Sequence, residues 1–456
     1  MSNYPDYRVE QLKNFKELFC RIKEFGNSVA FVSDGKSHTY FELCLDIERA
    51  MCHFSNGGEY VLLNLKDKYL FTVSYFATVL SGNIACLQPY SASKLPCFAD
   101  FPFVCELDDA AVLEIIAKGE GGKAVFRENT SVSTVLCSSG TTSTPKAVAL
   151  SQENIISDLV AGMEKYEFAM GGVFVSIIPY THAFGLVCDL LGPLYSCSTV
   201  YLTYDVVSFL VGIATFNPTA LNVTPGVVEA LVQRIDAVGD KEKVVGSRLK
   251  KILSGGAGTP ASLCEKMAEH GIGVYGCYGL SECAPCVSVN RDDYNKFGSA
   301  GVALNCNSIS IEPSGEIKIK GSNVMIGYLD TCGNLMERLE GEYKTGDLGY
   351  LDEDGFLYVL GRADDLIVFP DGNKLMPQKI EAELCTLDGV KEAVVYMRDG
   401  KLTATLTVTD ESKISETELY VRSAVFQGYK IARAYASLEP LTRNALGKLN
   451  RRAYAG

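Results

Sequence analysis

The most informative segment of the sequence is Leu136-Cys137-Ser138-Ser139-Gly140-Thr141-Thr142-Ser143-Thr144-Pro145-Lys146. Flanking β-branched and apolar residues predict strands over 133–137 and 147–150, so the stretch forms a hairpin tip, and Ser151 is the predicted N-cap of the next helix. A loop of small residues can turn its backbone N–H groups inward and bind an anion, to which hydroxyls and a Lys add donors and charge. It is not a Walker A loop, because a Pro precedes the Lys and an Ala follows it. We interpret it as a phosphate loop; a Ser/Thr-rich surface loop is the alternative for the stretch taken alone.

Composition narrows the class of protein. The chain has 456 residues, 47% hydrophobic and 21% charged, as in a soluble globular protein of two or three domains. Its 42 Lys and Arg against 55 Asp and Glu give a net charge of −13, which argues against nucleic acid as the main partner. The sequence predicts no signal peptide and no membrane span. Sixteen scattered cysteines do not form a disulfide pattern, so we expect a cytoplasmic protein.

Helix and strand patterns alternate along the first part of the chain and predict an α/β fold. The predicted elements there are helix 9–25, strand 28–32, helix 40–54, strand 60–65, helix 69–81, strand 84–87 and helix 105–116. The alternation resumes at residue 173, and after residue 305 the chain becomes β-rich. We predict a large domain over 1–361, made of layered sheets and helices plus a β-rich subdomain, and a small α+β domain over 362–456.

Four further stretches carry polar residues suited to nucleotide chemistry. Tyr278-Gly279-Leu280-Ser281-Glu282 follows a predicted strand, so its carboxylate can reach the sheet edge where α/β folds bind ligands. Thr345-Gly346-Asp347 places a carboxylate in a predicted turn, where it can accept hydrogen bonds from a ribose diol. Gly361-Arg362 lies at the domain junction, and Gly447-Lys448 lies in the tail. Each alone also fits an ordinary helix start, turn or solvated tail; their order and spacing together favour a function.

Together with the phosphate loop, these motifs resemble those of the adenylate-forming superfamily, which includes acyl-CoA synthetases, adenylation domains and luciferases. The resemblance runs from residue 38 to Lys448 and includes SSGTTSTPK, YGLSE, TGD, GRADD and the tail Gly-Lys. Ser143 stands where the superfamily usually has Gly, Ala147 replaces the Gly after the Lys, and Ala445-Leu446 are additional in the tail. The resemblance implies an ATP-using enzyme whose small C-terminal domain is mobile and rotates about a hinge at Asp364.

The resemblance also implies a role for each motif residue. The β- and γ-phosphates of ATP would be held by Ser138, Ser139, Gly140, Thr141, Thr142 and Lys146. Mg²⁺ would be held by Glu282 and Thr141. The rest of the nucleotide would be held by Gly255, Gly256, Ala257, Tyr278, Gly279 and Ser281, with Asp347 and Arg362 at the ribose. The catalytic set would be Lys448, Glu282, Thr141 and His182. Of these, Lys448 is the catalytic lysine and His182 the gate of the acyl pocket, with a histidine satisfied in the core as the alternative for His182.

For the reaction, the resemblance implies ATP-dependent activation of a carboxylic acid as acyl-AMP with release of pyrophosphate, then transfer of the acyl group to the thiol of CoA. Residues 179–185 are similar to the acyl-pocket loop of fatty-acyl and aryl-CoA ligases and lack the Phe-Asp of amino-acid adenylation domains. We therefore expect a fatty or aryl acid and not an amino acid. The alternative is a stand-alone adenylase that loads the phosphopantetheine of an acyl carrier protein in trans. A non-catalytic nucleotide-binding scaffold is disfavoured, because Lys448, Glu282 and Asp347 are all kept.

Overall fold

The computed structural model describes residues 9–33, 35–91, 93–119, 122–129, 131–138, 145–166, 170–369, 371–443 and 449–454. Up to residue 202 the described chain alternates between helices and strands. The helices are α1 (Phe15–Lys23), α2 (Tyr40–Met51), α3 (Lys68–Leu80), α4 (Asp109–Lys118), α5 (Gln152–Tyr166) and α6 (Gly192–Tyr195), with a 3₁₀ turn at Pro96–Phe98 and a π-helix at Gly185–Leu191. The strands are β1 (Val29–Ser33), β2 (Lys36–Thr39), β3 (Tyr60–Leu63), β4 (Ile84–Leu87), β5 (Phe103–Leu107), β6 (Val132–Ser138), β7 (Lys146–Ser151), β8 (Val173–Ser176) and β9 (Thr199–Leu202).

Residues 203–362 continue the alternation and then become almost entirely strand. The helices are α7 (Val206–Phe216), α8 (Pro225–Val238), α9 (Lys241–Val245) and α10 (Ala261–Glu269), with a 3₁₀ helix at Ser281–Cys283. The strands are β10 (Ala220–Val223), β11 (Lys251–Ser254), β12 (Gly273–Gly279), β13 (Cys286–Val289), β14 (Val302–Ala303), β15 (Asn307–Ile311), β16 (Glu316–Gly321), β17 (Gly327–Leu329), β18 (Glu342–Leu351) and β19 (Leu357–Arg362).

The last ninety residues form an α+β unit with an apolar cluster of its own. Its strands and helices are β20 (Ile367–Val368), β21 (Lys374–Leu375), α11 (Pro377–Leu384), β22 (Val390–Arg398), β23 (Lys401–Val408), α12 (Lys413–Ser423), β24 (Val425–Phe426), β25 (Tyr429–Lys430) and β26 (Arg433–Ser437), with 3₁₀ helices at Ala363–Asp365 and Arg451–Ala453. The sheet β22-β23-β26 packs a buried cluster that includes Ile380, Val395 and Leu406. The predicted fold class, a large α/β part followed by a small α+β part, is confirmed.

The phosphate-loop hairpin lies within a six-stranded sheet of order β17-β7-β6-β4-β3-β5. Strands β5, β3, β4 and β6 run parallel, and β7 returns antiparallel to β6. The predicted hairpin is therefore confirmed, and its register sets Ser138 opposite Lys146, so both ends of the loop lie side by side. Ser151 caps α5 as predicted, because its Oγ accepts from the backbone N–H of Asn154 at 3.1 Å.

Two more layers bring the remaining motifs together. Strands β10, β11 and β12 are parallel and continue into the antiparallel strands β13 and β14, whereas β15, β16, β18 and β19 form an antiparallel sheet. The fourth sheet has the order β2-β1-β9-β8. Among the described helices, none is long and apolar enough to cross a membrane.

The sequence misplaced several elements. The helix predicted over 105–116 is wrong in its first part, because β5 occupies those residues and α4 starts only after Asp108, whose side chain accepts from Ala111 N at 2.8 Å. The helix predicted from residue 9 starts at Phe15, after the N-cap Asn14. Helix α7 was missed, because apolar residues on nearly all of its sides leave no amphipathic period to detect.

Candidate active site

Three residues from separate motifs meet in one hydrogen-bonded cluster. The hydroxyl of Tyr278 donates to Oδ2 of Asp347 at 2.6 Å. Nη1 of Arg362 donates to Oδ1 of the same carboxylate at 3.1 Å and to the carbonyl of Thr345 at 2.7 Å. The antiparallel register of β18 and β19 sets Asp347 opposite Arg362. Asp347 therefore lies within a strand and not in the predicted turn.

Gly346 makes this cluster possible. Its φ is +69°, a left-handed conformation that favours glycine, and a Cβ at this position would lie 2.7 Å from Nη2 of Arg362. A side chain here would be strained and would also displace the guanidinium from Asp347. The Gly of the TGD motif is thus required by the backbone and by the approach of Arg362.

Burial keeps the cluster in a defined protonation state. Burial and the neighbouring Asp347 carboxylate raise the pKa of Tyr278, so its hydroxyl stays a proton donor. Burial opposes the charge of Arg362, but Asp347 outweighs it and the pKa of Arg362 is raised. A carboxylate has about four lone-pair sites, and the two donors use one on each oxygen, which leaves acceptor capacity for a vicinal diol.

A second cluster joins the phosphate loop to the predicted metal ligand. Glu282 is 9% exposed, and its Oε1 accepts from the hydroxyl of Tyr328 at 2.9 Å. The hydroxyl of Tyr343 lies 2.9 Å from that of Tyr328, and Nζ of Lys146 lies 4.7 Å from the centroid of the Tyr328 ring. The pairing of β17 with β7 sets Tyr328 opposite Val148, two residues from Lys146. Tyr328 thus lies between the ammonium group of Lys146 in the phosphate-loop motif and the carboxylate of Glu282 in the YGLSE motif.

At the start of the phosphate loop, Ser138 has a side chain suited to an anion. It is 5% exposed, and its Oγ has no hydrogen-bond partner among the described residues. A buried hydroxyl is normally paired, so this orphan is a donor that a phosphate oxygen would satisfy. The predicted phosphate and metal residues Ser139, Gly140, Thr141 and Thr142 lie outside the described residues, as does Lys448.

The donors present fit magnesium better than a transition metal. No group of three or more His, Cys, Asp or Glu in the described part of the chain could hold a metal ion. Mg²⁺ needs only one or two carboxylates when phosphate oxygens complete its shell, and Tyr328 contacts both Glu282 and Lys146. A hard oxygen donor beside a phosphate loop is therefore an adequate protein contribution to an Mg²⁺ site.

The remaining predicted nucleotide residues follow the carboxyl ends of β11 and β12. Gly255, Gly256 and Ala257 come directly after β11, while Gly279 ends β12 and Ser281 begins the 3₁₀ helix that carries Glu282. A Cβ on Gly255 would lie 2.7 Å from Sγ of Cys277 and 3.1 Å from the ring of Phe184. Glycine is needed there for close packing, and the residues line the edge at which α/β sheets bind ligands.

Beside the acyl loop, the structure contains a polar network that the sequence did not predict. Asp189 of the π-helix is fully buried, and its Oδ2 accepts from Oγ of Ser176 at 2.6 Å and from the N–H of Ile178 at 3.3 Å. Nζ of Lys68 donates to the same Ser176 Oγ at 2.9 Å. Burial raises the pKa of Asp189 to about 6 and lowers that of Lys68 to about 8, so both are charged at neutral pH.

This network holds the π-helix against the sheet. Nδ2 of Asn222 donates to the carbonyl of Cys188 at 2.7 Å, within the π-helix. Two side chains of neighbouring strands, Ser176 and Asn222, therefore bind adjacent residues of the helix. His182 precedes the π-helix and is half-buried, and its role as the gate of the acyl pocket stays a prediction. The sequence carries two signals of this network: Lys68 begins the mostly apolar helix α3, and Asp189 is the single charged residue of the apolar stretch Gly185–Leu191.

The predicted hinge lies where the two parts of the chain join. Asp364 is the middle residue of the 3₁₀ helix Ala363–Asp365, directly after Arg362. The next residue, Asp365, is fixed by the C-terminal part: its Oδ2 accepts from Nε2 of Gln378 at 2.8 Å and lies 3.2 Å from Nε of Arg451. Arg362 is thus bound to residues before the predicted hinge and Asp365 to residues after it, and Asp364 lies between the two.

Comparisons with known proteins agree with this geometry. Residues 100–329 match the AMP-binding enzyme family. The chain is 32% identical over 469 aligned positions to a 2-succinylbenzoate–CoA ligase of Bacillus cereus, covering 98% of this chain and 95% of that one. It superposes with a TM-score of 0.82 and 25% identity on the O-succinylbenzoate coenzyme A synthetase of Bacillus subtilis in complex with AMP, covering 97% and 98% of the two chains. MatB of Rhodopseudomonas palustris with bound ATP has the same fold, with a TM-score of 0.82, 22% identity and coverage of 96% and 98%.

Proposed function

The chain belongs to the AMP-binding enzyme family as an AMP-forming acid–thiol ligase, and we propose that it converts a fatty or aryl carboxylic acid into its CoA thioester. The observation that carries the proposal is the Asp347 carboxylate held by Tyr278 and Arg362, since three separate motifs converge on one group suited to a ribose diol. The acid is a carboxylate without an α-amino group.

In the first half-reaction, a carboxylate oxygen attacks the α-phosphorus of ATP, a P–O bond forms, and the bond to pyrophosphate breaks. Two anions must approach each other, so the site needs cations and donors more than it needs a base. Lys146 and Ser138 would bind the leaving phosphates, and Glu282, fixed by Tyr328, would hold Mg²⁺. The metal would neutralise phosphate charge. Lys448 would contact the attacking carboxylate and the α-phosphate.

In the second half-reaction, the CoA thiol attacks the acyl carbon and AMP leaves with the oxygen that joined the acid to phosphorus. Lys448 is not needed for this step. Rotation of the C-terminal part about Asp364 would withdraw it and admit the thiol. Asp364 lies between Arg362 and Asp365, which are bound to different parts of the chain, and this position supports the hinge assignment.

The acyl loop supports an acid without an α-amino group. A substrate ammonium would need an exposed carboxylate, and the carboxylate of Asp189 is buried and accepts from Ser176 and Ile178. Residues 180–185 contain no acidic residue. An amino acid would therefore bury an unpaired ammonium in this part of the site, which is costly.

The experiment is pyrophosphate release with a panel of carboxylic acids, with and without CoA, on the wild type, Lys448→Ala and Lys391→Ala. We expect release that depends on the acid, reaches many turnovers with CoA, and falls by roughly 100-fold or more in Lys448→Ala. Lys391 is exposed on β22 and serves as the control lysine. If pyrophosphate release stays near one turnover with CoA but reaches many turnovers with an acyl carrier protein, the acceptor is the carrier protein and not CoA. No release with any acid would refute the proposal.

A further inference from the structure

An apolar cavity lies next to the end of β11, the strand that precedes the predicted nucleotide residues. Its walls include Gly162 of α5, Val187 and Cys188 of the π-helix, Leu253 of β11 and Cys286 of β13. The two thiols face each other across one wall, with 3.6 Å between their sulfur atoms. The cavity thus lies between the helix that follows the phosphate loop and the helix that follows His182.

Short contacts connect this cavity to the nucleotide site. Cys277 donates from Sγ to the carbonyl of Ser254 at 3.4 Å, and a Cβ on the adjacent Gly255 would touch the same sulfur. Leu253, which lines the cavity, directly precedes Ser254 in β11. The cavity therefore adjoins both the predicted nucleotide residues after β11 and the π-helix after the predicted acyl gate, the two regions that an acyl-adenylate would have to contact.

The size of the cavity limits what can enter it. Its volume is about 30 Å³. A buried cavity that binds benzene has about 150 Å³, and one water-sized group needs about 10–15 Å³. The cavity therefore has room for roughly two such groups, the end of an alkyl chain, and is too small for a phenyl ring.

The charge of the lining sets a second limit. The residues that line the cavity include no Lys, Arg or His, and its one carboxylate is that of Asp158. That carboxylate accepts from the N–H of Cys286 and from Nδ2 of Asn323, both at 3.1 Å. A second substrate carboxylate placed here would be buried without a cation and beside an acid, which is strongly unfavourable.

We propose that this cavity selects an unbranched aliphatic monocarboxylic acid, whose last one or two carbon atoms it encloses, over aryl acids and over dicarboxylic acids. The inference rests on the proposed function and names its substrate class. It also separates this chain from the relatives named for 2-succinylbenzoate, an acid that carries both a ring and a second carboxylate.

Gly162 offers a direct test, because a Cβ there would meet no atom within 4 Å and would extend into open space on the cavity side of α5. Gly162→Ala and Gly162→Leu fill the cavity stepwise. The control, Glu153→Leu, places the same side chain on an exposed position of the same helix. Acid-dependent pyrophosphate release is measured with acetate, butyrate, hexanoate, octanoate, benzoate, succinate, adipate, suberate and 2-succinylbenzoate.

The wild type is expected to prefer one straight-chain monocarboxylate over benzoate and over the dicarboxylate of equal length by roughly 10–200-fold in kcat/KM. Gly162→Leu is expected to lose activity with that acid by a similar factor and to keep activity with an acid two carbons shorter, which shows that the variant is folded. Glu153→Leu should match the wild type. A preference for benzoate, for any of the dicarboxylates or for 2-succinylbenzoate, or an unchanged length profile in a folded Gly162→Leu, would overturn the inference. A wild type inactive with every acid would instead refute the proposed function.

Discussion

Tyr328 is the residue through which the phosphate loop and the candidate metal ligand contact each other. Its hydroxyl donates to Glu282, and its ring faces the ammonium group of Lys146. Burial, followed by the charge of Glu282, raises the pKa of Tyr328, so the hydroxyl remains a donor at neutral pH. A donor to a metal-binding carboxylate fixes the direction in which its second oxygen points.

Tyr328→Phe should therefore weaken the use of Mg²⁺ while leaving the fold intact. We expect the Mg²⁺ concentration for half-maximal pyrophosphate release to rise roughly 10-fold, within the range known for partners of metal ligands. Tyr343→Phe is the matched control, because it removes a hydroxyl that contacts Tyr328 but makes no hydrogen bond to Glu282. Equal shifts in the two variants would contradict the role given to Tyr328.

The sequence predicted the motif residues and missed the side chains that contact them. Asp347 and Arg362 lie in recognisable motifs, and the strand register brings them together. Tyr328 lies in a short strand without a motif, and only the pairing of β17 with β7, distant in sequence, brings it to Lys146. Side chains that act through long-range strand pairing leave no local pattern to read.

Among the elements, the π-helix before α6 depends on a buried charged pair. Lys68 and Asp189 share Oγ of Ser176, and burial moves both pKa values toward neutrality, to about 8 for Lys68 and about 6 for Asp189. Because the pKa of Lys68 is lower in the folded chain, burying its charge reduces the free energy of unfolding. This reduction is complete below pH 8 and disappears as the pH rises toward the ordinary lysine pKa of 10.5. Because the pKa of Asp189 is higher in the folded chain, burying its charge also reduces the free energy of unfolding. This reduction is complete above pH 6 and disappears as the pH falls toward the ordinary aspartate pKa of 3.8.

The double variant Lys68→Met/Asp189→Asn buries neither charge. Its free energy of unfolding, minus that of the wild type, should therefore be largest between pH 6 and 8 and smaller at pH 4 and pH 10. Urea unfolding across this pH range measures the difference in the free energy of unfolding. Lys68→Met alone is the control: it leaves the Asp189 charge without its cation and should lose about 3–5 kcal/mol at pH 7. If the difference in the free energy of unfolding between the wild type and the double variant does not change with pH, Lys68 and Asp189 are not buried as two charges.

Element prediction worked where local signals and tertiary packing agree. The predicted N-cap Ser151 precedes α5, and the helix predicted from residue 40 begins there, where the structure adds a capping box between Thr39 and Glu42. Helix α7 is apolar on most sides, so it lacks the period that reveals a helix. For residues 186–195 the sequence predicts one apolar helix, whereas the structure has a π-helix at Gly185–Leu191 followed by α6. Its residues Cys188 and Asp189 are bound by Asn222 and Ser176 of neighbouring strands, contacts that its own sequence does not encode.

Across the whole molecule, the two half-reactions place opposite demands on the C-terminal part. Lys448 would be needed at the nucleotide for adenylation and would have to leave before the thiol attacks. Residues 363–365 form a single short turn between β19 and the C-terminal sheet. The sequence could indicate the two parts by a change from α/β to α+β pattern, but the extent of any rotation depends on their shared surface, which no local pattern encodes.

Asp364→Pro should separate the two half-reactions. Proline fixes φ and removes the rotation that the hinge requires. We expect acid-dependent ATP–pyrophosphate exchange to stay within about twofold of wild type and thioester formation to fall by roughly tenfold or more. Asp364→Ala is the control, since it removes the carboxylate and keeps backbone freedom. Equal loss of both half-reactions in Asp364→Pro, or thioester formation at the wild-type rate, would remove the hinge assignment.

In the proposed mechanism an acyl-adenylate lies between the acid and the thioester, and the fate of the carboxylate oxygens distinguishes this route from others. The acid that the panel identifies is labelled with ¹⁸O in both carboxylate oxygens and converted with ATP, Mg²⁺ and CoA, and the products are analysed by mass spectrometry. We expect one ¹⁸O atom in each AMP and one in each thioester carbonyl. AMP without label, or label in inorganic phosphate, would contradict this mechanism, because the acid oxygen would then never have been bonded to the α-phosphorus.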